Sequence, residues 1–455
     1  MRRAPVPDER PVVLTVAGSD SGGGAGIQAD LKTIEAHGGF GTSVITSVTA
    51  QHTAGVESTH VLPTQEVAAQ LEAVLGDFDV RAVKTGMLAT ADIVDLVSTW
   101  AADLSVPLVV DPVMVAASGD RLLEPEAETA YRDLLAEATL VTPNLDEVRV
   151  LTGVESTEPA ALEEAGQALL ERGADAALLK GGHVPGPDVT DRLVTSDSTI
   201  EFTHARVDTE ATHGSGCTLS SAIATNLATG EPLTRAVSDA VSFMERAVRY
   251  HLKVGTGPGA VHHLVGLRER AGRTDVIEAV EDVVDTLVAE DVSAVVPEVG
   301  MQVAGTTRYG EERSEVAAVE GRITRTASGI RPNRGVRMGA SSHVARLLLA
   351  AREHDPTLRF AANCRLDEDV EAALDRLDWT VGTFDREDEP EPESEGHTMQ
   401  WGTDRAFASV EGTPDAIVDR GAVGKEAMTR VLAEEAGRLS DRITGLAEAV
   451  REVEA

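Results

Sequence analysis

The first half of the chain alternates short apolar segments with amphipathic ones, and this alternation restricts the fold more than any other feature. The apolar segments lack polar alternation, which is typical of strands buried on both faces of a parallel sheet. They lie at residues 12–17, 44–48, 80–83, 108–110, 140–141 and 176–179, with amphipathic stretches at 67–75, 91–100 and 159–172 between them. We therefore predict an α/β fold with a doubly wound, mostly parallel sheet and helices on both faces.

The pattern pauses at residues 266–274, which are charged and poor in apolar side chains. We predict a first domain at residues 1–268 and a second α/β domain at 275–455, opening with a helix at about 275–289. The acidic, proline-bearing segment 385–396 is predicted to be a solvated loop. In doubly wound sheets ligands bind beyond the carboxyl ends of the strands, so the residues after each apolar run are the candidate site residues.

A formal net charge of −36 excludes some classes of partner. Acidic surfaces repel phosphate backbones and anionic membranes, so we expect neither nucleic acid nor a membrane as partner. The charge is spread along the chain, which favours a hydrated, halophile-like surface over a polyanion mimic. The sequence shows no transmembrane run or signal peptide, and two cysteines are too few for a disulfide framework. We expect a cytoplasmic protein that forms a homo-oligomer.

The first apolar run ends in AGSDSGGGAGIQADLKT, a glycine-rich turn that leads into a helix. The spacing fits neither GxGxxG nor GxxxxGK[ST], so it supports neither a Rossmann fingerprint nor a Walker loop. A tight turn between strand and helix would explain the glycines alone. The carboxylates of Asp20 and Asp30, which bracket the turn, favour a functional role.

A second glycine-containing turn, THGSGC, places Gly214 and Gly216 before a helix that starts near Cys217. Unpaired N–H groups at a helix N-terminus point at an anion, so a phosphoryl group in transfer could be held there. The helix dipole should favour a Cys217 thiolate. The alternative is a buried structural cysteine.

Polar residues follow three further strands. Asp111 and Glu147 carry oxygen ligands suited to Mg²⁺, directly or through water. Lys180 could neutralise nucleotide phosphates, and we place Asn144 with the nucleotide-binding residues. Singly, each could be a helix cap or a solvated charge. Together, at successive strand ends of one sheet, they predict a Mg-ATP site.

These motifs resemble the hydroxymethylpyrimidine/phosphomethylpyrimidine kinases of the ribokinase-like superfamily over residues 11–263. The matching segments are AGSDSGGGAGIQADLKT, SVTAQHTAGV, VKTGMLA, VVDPVM, TPNLDE, LLKGGH and THGSGCTLSSA. The resemblance implies ATP-dependent phosphorylation of 4-amino-5-hydroxymethyl-2-methylpyrimidine, first to the monophosphate and then to the diphosphate. Pyridoxal-type kinases share this fold and are the alternative.

The resemblance also assigns residues. It places Gln51 on the pyrimidine edge, where a carboxamide offers both a donor and an acceptor, and Asp30 and Met87 in the substrate pocket. Cys217 stands where the wider superfamily has an aspartate base, a replacement usual in pyrimidine kinases. Whether its thiolate removes the hydroxyl proton or shapes the anion hole stays open, with the general base as working hypothesis.

The second half holds a cluster of arginines, Arg331, Arg334 and Arg337, in a glycine-containing loop before a predicted helix. Ser341 and Ser342 are candidate N-caps of that helix. Arginines beside a capped helix N-terminus predict a site for a phosphorylated ligand, although an arginine-rich surface loop is the simpler alternative. Farther on, DRGAVGKEAM sets Lys425 before a helix, where phosphate binding and an ordinary helix entry are equally good explanations.

This half resembles the ThiN-type thiamine-phosphate synthase domain through GR, RPNRG, GASSHVAR, an Ala-Asn pair and GxxGKE. The resemblance implies condensation of the pyrimidine diphosphate with hydroxyethylthiazole phosphate to give thiamine monophosphate and pyrophosphate. It points to Arg322 for phosphate stabilisation and to His343 for pyrophosphate binding or proton handling, although His343 could simply cap its helix. A ligand-sensing module is the alternative. Neither a helix-turn-helix nor a basic face is visible, which favours catalysis.

Overall fold

The computed structural model describes residues 4–114, 127–155, 157–386, 389, 397–421 and 426–455. The chain forms two compact units, Met1–Gly266 and Leu267–Ala455, and each has its own sheet and core. Among the described helices, none combines the length and the hydropathy that a membrane span requires.

The sheet of the first unit has the described strands in the order β3-β2-β1-β4-β5-β6-β7-β8-β9. Strands β2, β1, β4, β5, β6 and β7 pair in parallel, and β3, β8 and β9 are antiparallel additions at the two edges. The strands are β1 (Val12–Asp20), β2 (Phe40–His52), β3 (Gly55–Val61), β4 (Val80–Thr85), β5 (Leu108–Val110), β6 (Leu140–Val141), β7 (Ala176–Leu179), β8 (Asp188–Thr195) and β9 (Thr199–Ala205).

Helices flank this sheet. They are α1 (Gly26–Ala36), α2 (Thr64–Asp77), α3 (Ala91–Ala101), α4 (Ala127–Ala136), α5 (Leu145–Thr152), α6 (Pro159–Leu170), α7 (Ser215–Ala228) and α8 (Leu233–Arg249). Helices α2 to α6 join one buried core with the strands, whereas α1, α7 and α8 pack on one another, with α1 and α7 also against strands. The mostly parallel, doubly wound class predicted from the apolar runs is confirmed.

The edge strands β3, β8 and β9 were absent from the sequence-based prediction. Their side chains are largely polar and partly exposed, so they lack the continuous apolar run that marks a central parallel strand. The six predicted apolar runs all fall within β1, β2, β4, β5, β6 and β7. The hydrophobic pattern therefore identified the parallel centre of the sheet and missed its edges.

The second unit has a mostly antiparallel sheet in the order β14-β11-β10-β15-β18-β17-β16, in which β16 and β17 pair in parallel. A separate hairpin is formed by β12 and β13. The strands are β10 (Val303–Thr306), β11 (Val316–Val319), β12 (Ile323–Thr326), β13 (Gly329–Pro332), β14 (Val336–Met338), β15 (Phe360–Arg365), β16 (Val381–Phe384), β17 (Ala416–Asp419) and β18 (Met428–Ala433).

Two layers of helices cover this sheet. These helices are α10 (Arg273–Ala289), α11 (His343–His354), α12 (Glu368–Leu374), α13 (His397–Ala408) and α14 (Ala436–Glu454), with short 3-10 turns at Val292–Val295 and Arg313–Glu315. A short helix, α9 (Val265–Ala271), precedes α10 in the chain. Helices α10, α12 and α14 share one core, and α11 and α13 share another. The predicted second α/β domain is confirmed. Residues 266–274, predicted as a break, are mostly helical, and α10 begins two residues before the predicted start.

Candidate active site

One cleft in the first unit gathers most of the site residues predicted for this half. Its volume is about 550 Å³, and it lies at the carboxyl ends of the parallel strands. Its lining includes the predicted residues Gln51, Met87, Asp111, Asn144, Glu147, Lys180, Gly214, Gly216 and Cys217. The carboxyl ends of parallel strands meet at one edge of a sheet, which explains why these distant residues converge.

Asp30 lies outside the lining of this cleft. Its carboxylate is fully buried and accepts hydrogen bonds from Lys84 Nζ at 2.9 Å, Thr15 Oγ1 at 2.6 Å and Ser221 Oγ at 2.8 Å. Burial alone would lower the pKa of Lys84, but the negative charges of Asp30, Cys217 and Asp111 together outweigh burial and the pKa is raised. The Asp30 side chain is engaged in this buried ion pair, and its role in substrate binding stays a prediction.

Asp20 organises the glycine-rich turn instead. Its carboxylate accepts backbone N–H bonds from Gly22 at 2.7 Å, Gly24 at 3.0 Å and Ala25 at 2.8 Å. It also lies 3.2 Å from Nε2 of His213. A Cβ on Gly24 would come within 2.5 Å of the His213 ring, so the turn requires glycine there. Sequence reasoning missed His213; the only signal was its position directly before Gly214.

The N-terminus of α7 forms the second wall of the cleft. Gly214 has a φ of +83°, and a Cβ there would lie 1.8 Å from the carbonyl oxygen of Gly24. A Cβ on Gly216 would lie 3.2 Å from Lys180 Nζ and 3.4 Å from Asp111 Oδ2. Gly214 therefore allows a contact that any side chain would block, whereas a side chain at Gly216 would crowd Lys180, towards which the first turn of α7 opens.

Lys180 lies between two carboxylates at the floor of the cleft. Its Nζ is 2.9 Å from Asp111 Oδ1 and 3.9 Å from Glu147 Oε2. Burial raises the pKa of Glu147 to about 7; the Lys180 charge opposes that rise and the Asp111 charge adds to it. The three side chains carry a net negative charge when all are ionised, and a cation in the cleft would relieve it.

The metal role of Asp111 and Glu147 stays a prediction. Within the described ranges, no group of three or more His, Cys, Asp or Glu side chains is arranged to hold a metal ion. Glu147 also has a local structural role with Asn144: the Asn144 side chain accepts from the N–H groups of Asp146 and Glu147, and Glu147 Oε2 accepts from the Asn144 N–H at 2.7 Å. This capping box starts α5 and fixes both side chains at the cleft.

Cys217 lies in the first turn of α7 and lines the cleft with its side chain half-buried. Burial raises the pKa of its thiol to about 11, and the positive charge of Lys84 only partly offsets that rise. Burial therefore outweighs the helix dipole, which alone would favour a thiolate. The raised pKa favours the thiol over the thiolate at this position.

Arg322 and the Asn363 of the Ala-Asn pair meet at one backbone carbonyl in the second unit. Arg322 Nη1 donates to the Gly300 oxygen at 3.4 Å, and Asn363 Nδ2 donates to the same oxygen at 3.3 Å. A Cβ on Gly300 would come within 2.9 Å of Arg322 Cβ, so the glycine allows this approach. Two of the motifs that carried the ThiN resemblance, GR and the Ala-Asn pair, are thus adjacent in space.

His343 is the first residue of α11, and its Nδ1 lies 3.1 Å from Ser342 Oγ. Burial lowers the pKa of His343, and the nearby charges of Arg346 and Arg322 lower it further. Ser342 takes the N-cap position, but among the described contacts its side chain makes no capping hydrogen bond. Ser341 is buried. The predicted serine cap is therefore wrong in its hydrogen bonding, although its position is right.

The predicted arginine cluster is spread over several elements. Arg331 lies in β13 and Arg337 in β14, so only Arg334 lies in a loop between strands. Arg334 and Arg337 are exposed and pair with Glu320 at 3.6 Å and 3.1 Å. Their phosphate-binding role stays a prediction, as does that of Lys425, which lies outside the described residues.

Comparison with known proteins agrees with both resemblances. The family model described as phosphomethylpyrimidine kinase matches residues 20–262, which is more than half of the chain. The chain belongs to this family. A second model, described as thiamine-phosphate synthase ThiN, matches residues 279–444.

Curated relatives align with the phosphomethylpyrimidine kinase half. A hydroxymethylpyrimidine/phosphomethylpyrimidine kinase of Rhizobium meliloti is 44% identical over 55% of this chain and 96% of its own length. A thiamine biosynthesis bifunctional protein ThiED of Geobacter sulfurreducens is 44% identical over 59% of this chain and 55% of its own length. Among solved structures, the ADP complex of Bacillus subtilis pyridoxal kinase is 32% identical, with a TM-score of 0.53, covering 57% of this chain and 99% of that chain.

The predicted assignment is confirmed at this level. The chain is a thiamine biosynthesis enzyme with a phosphomethylpyrimidine kinase half and a ThiN-type synthase domain. The individual site residues, the homo-oligomer and the cytoplasmic location stay predictions.

Proposed function

We propose that the first half transfers the γ-phosphoryl group of ATP to 4-amino-5-hydroxymethyl-2-methylpyrimidine and then to its monophosphate. The observation that carries this proposal is the convergence of Gln51, Lys180 and Cys217 on one cleft, beside the N-terminus of α7. A pyrimidine-binding amide, a cation and an anion-binding helix end are the parts that such a transfer requires.

Gln51 and Met87 would bind the pyrimidine. The Thr49 hydroxyl donates to the Ser19 carbonyl oxygen at 2.8 Å and is shared with Gln51 Oε1 at 3.1 Å, which leaves the N–H₂ group of Gln51 for a ring nitrogen. Met87 is 9% exposed and offers an apolar surface to the ring. Because Ser47 Oγ lies 3.8 Å from Met87 Sδ, the thioether is held in place.

The phosphates of the nucleotide would lie between Lys180 and the first turn of α7. Mg²⁺ fits the cleft, because Asp111 and Glu147 supply hard oxygen ligands and leave a negative charge that Lys180 alone does not balance. When bound, Mg²⁺ would neutralise phosphate charge. Lys180 would hold the transferring phosphoryl group in position, and the Gly214 and Gly216 backbone would accommodate its oxygens.

Cys217 would act in this site as a neutral thiol that shapes the anion hole. A thiol with a pKa of about 11 is a poor source of thiolate at neutral pH, which argues against the general-base hypothesis. We expect Cys217→Ser, which keeps a hydroxyl donor, to retain most of its turnover with an unchanged pH profile, and Cys217→Ala to lose more. Loss of activity in Cys217→Ser together with a shifted pH profile would restore the general-base role.

The identity of the alcohol substrate can be tested by comparing turnover on the hydroxymethylpyrimidine and on pyridoxal. The solved pyridoxal kinase of Staphylococcus aureus, in complex with AMP-PCP and pyridoxal, is 30% identical with a TM-score of 0.53, so pyridoxal is the natural competitor. We expect kcat/KM to be higher for the hydroxymethylpyrimidine than for pyridoxal, and Gln51→Leu to reduce the difference. A higher value for pyridoxal would overturn the assignment.

The second half would join the pyrimidine diphosphate to hydroxyethylthiazole phosphate. Departure of pyrophosphate leaves a benzylic-type cation on the pyrimidine, which the thiazole nitrogen captures. Cationic side chains that hold the leaving group lower this barrier, and Arg322 with His343 would supply that contact. The supporting observation is the meeting of Arg322 and Asn363 at the Gly300 carbonyl.

A two-precursor assay tests this reaction. Wild-type protein should form thiamine monophosphate from the two phosphorylated precursors, and Arg322→Ala should lose this activity while its kinase half still works. The matched control is Arg438→Ala, which removes an exposed arginine of α14. Tight binding of both precursors without product would leave a ligand-sensing module.

A further inference from the structure

A buried carboxylate at the carboxyl end of β17 holds two arginines that the sequence did not single out. Asp419 is fully buried and accepts from Arg386 Nε at 2.8 Å, from Arg430 Nη2 at 2.8 Å and from the Gly421 N–H at 3.0 Å. Two guanidinium groups therefore share one carboxylate, and the group of three side chains keeps a net positive charge.

Arg430 has a further donor that this carboxylate does not use. The residue is 6% exposed, and its Nη1 is buried without a hydrogen-bond partner among the described residues. A buried N–H donor of a charged group without an acceptor is costly, so proteins rarely keep one without a reason. An anionic acceptor that binds from outside would satisfy it.

The strand pairing places this arginine on the same side of the sheet as Arg322. Arg430 lies directly opposite Asn363 in the pairing of β15 with β18, so their side chains point to one face. Leu432, two residues along β18, packs in the core that includes α11. Asn363 also shares the Gly300 carbonyl with Arg322. The two arginines thus belong to one face, which α11 covers.

The N-terminus of α11 adds a third source of positive potential. Its first-turn N–H groups receive no side-chain cap from Ser342. Besides burial, the positive charges of Arg346, Arg322, Arg430 and Arg386 lower the pKa of His343 at this end. A helix N-terminus surrounded by arginines is suited to an anion of more than one charge.

We propose that Arg430, held in place with Arg386 by Asp419, binds the diphosphate of the pyrimidine substrate at the N-terminus of α11. The proposal rests on the condensation proposed above for this half. In that reaction the bond between the pyrimidine methylene carbon and the diphosphate oxygen breaks, the electron pair leaves with the diphosphate, and the thiazole nitrogen bonds to the carbon. Arg430 Nη1 would donate to the departing diphosphate.

Binding of inorganic pyrophosphate to the full chain, measured by calorimetry, tests the proposal. We expect Arg430→Lys, which keeps a charge near Asp419 but loses the second donor, to weaken binding about 10- to 100-fold, as loss of one hydrogen bond to a charged group does. KM for the pyrimidine diphosphate should rise in parallel, with KM for the thiazole phosphate little changed. Any pyrophosphate that binds to the kinase cleft binds there in both the wild type and Arg430→Lys, so it does not contribute to the difference in affinity between them.

Arg352→Lys is the matched control. Arg352 is 7% exposed, and its guanidinium donates to the carbonyls of Pro356, Leu358 and Arg308 within the fold. We expect this variant to bind pyrophosphate as the wild type does. Unchanged binding in a folded Arg430→Lys protein would overturn the proposal and leave a purely structural ion cluster.

A second variant keeps the test usable if Arg430→Lys fails to fold. Arg386→Gln changes a residue at the rim of the same cluster and should weaken pyrophosphate binding by a smaller factor; unchanged binding there would count against the proposal. The two-precursor assay separates this inference from the function it rests on. If the wild type makes no thiamine monophosphate but the variants still lose pyrophosphate binding, the anion site is supported and the condensation is rejected.

Discussion

The two units differ in the net charge of the side chains at the sites where we propose that each binds a phosphorylated ligand. In the first unit, Lys180 lies between Asp111 and Glu147, so this end of the cleft carries a net negative charge once Glu147, with a pKa of about 7, is ionised. In the second, Arg386 and Arg430 share Asp419 and the balance is positive. A negative cleft needs an added cation to hold a nucleotide, whereas a positive one can hold a diphosphate with its own side chains.

The first prediction compares how the two units depend on divalent cations, and it should give the largest effect. Removal of divalent cations by EDTA should abolish phosphorylation of the hydroxymethylpyrimidine, because two carboxylates would then face the phosphates. Pyrophosphate binding to the second unit should persist within a few-fold, because arginines supply its charge. Both are measured on the same protein, by product formation and by calorimetry. Kinase turnover that survives EDTA would break the comparison.

The buried ion pairs of the two units should also respond differently. Lys84→Met should destabilise the first unit by about 3–5 kcal/mol, because Asp30 then remains buried without a cation. Arg386→Met should cost the second unit less, about 1 kcal/mol, because Arg430 still pairs with Asp419.

Hydrogen exchange followed by mass spectrometry in peptides of each unit measures both losses separately. The control is Arg149→Met, which removes an exposed ion pair with Asp146 and should cost less than about 1 kcal/mol. Equal losses of stability in Lys84→Met and Arg386→Met would show that Arg430 alone does not stabilise the buried Asp419 carboxylate.

The third prediction concerns the backbone at the kinase cleft. Gly214→Ala should lower kcat/KM of the kinase about 100- to 1000-fold, the cost of losing a donor of an anion hole, because its Cβ would collide with the Gly24 carbonyl. Gly230→Ala is the matched control: its φ is also positive, at +90°, but nothing lies within 4 Å of the added Cβ. Condensation in the second unit should be unchanged in both variants, so a parallel loss there would show that the halves depend on each other.

The smallest effect concerns the two cysteines, one in each unit. With the pKa of Cys217 raised to about 11, alkylation by iodoacetamide should be slow at neutral pH and should rise about tenfold per pH unit up to about pH 10. Cys364 is fully buried and should stay unmodified in the folded protein. Labelling of peptides, with Cys217→Ser as control, measures both. A plateau near pH 8 would mean a stabilised thiolate.

The sequence predicted the first site better than the second because of how their strands connect. In the parallel sheet, residues such as Asp111 and Lys180 follow successive apolar runs, and the topology brings all strand ends to one edge. In the second sheet, Arg430 and Arg386 both meet Asp419 only because the strand order places β17 between β18 and β16. That order leaves no local signal in the sequence, and Arg386 was read as part of a solvated acidic segment.

Burial of individual side chains further limited how well the site residues could be predicted from the sequence. Asp30 and Asp20 bracket the same glycine-rich turn, yet Asp30 faces Lys84 inside the unit and Asp20 lines the cleft. The sequence gives both the same chemistry, and only the packing of α1 against β1 and α7 separates them. The raised pKa of Cys217 has the same origin, since the helix end that favours a thiolate lies in an enclosed site.

The contact of His213 with Asp20 joins two turns that lie 193 residues apart in the chain. Ribosomes make proteins from the N-terminus, so the glycine-rich turn emerges long before its partner does. A nascent or truncated chain that ends before α7 would hold this turn without the contacts that shape it. Phosphorylating activity should therefore appear only late in synthesis, once this long-range closure has formed.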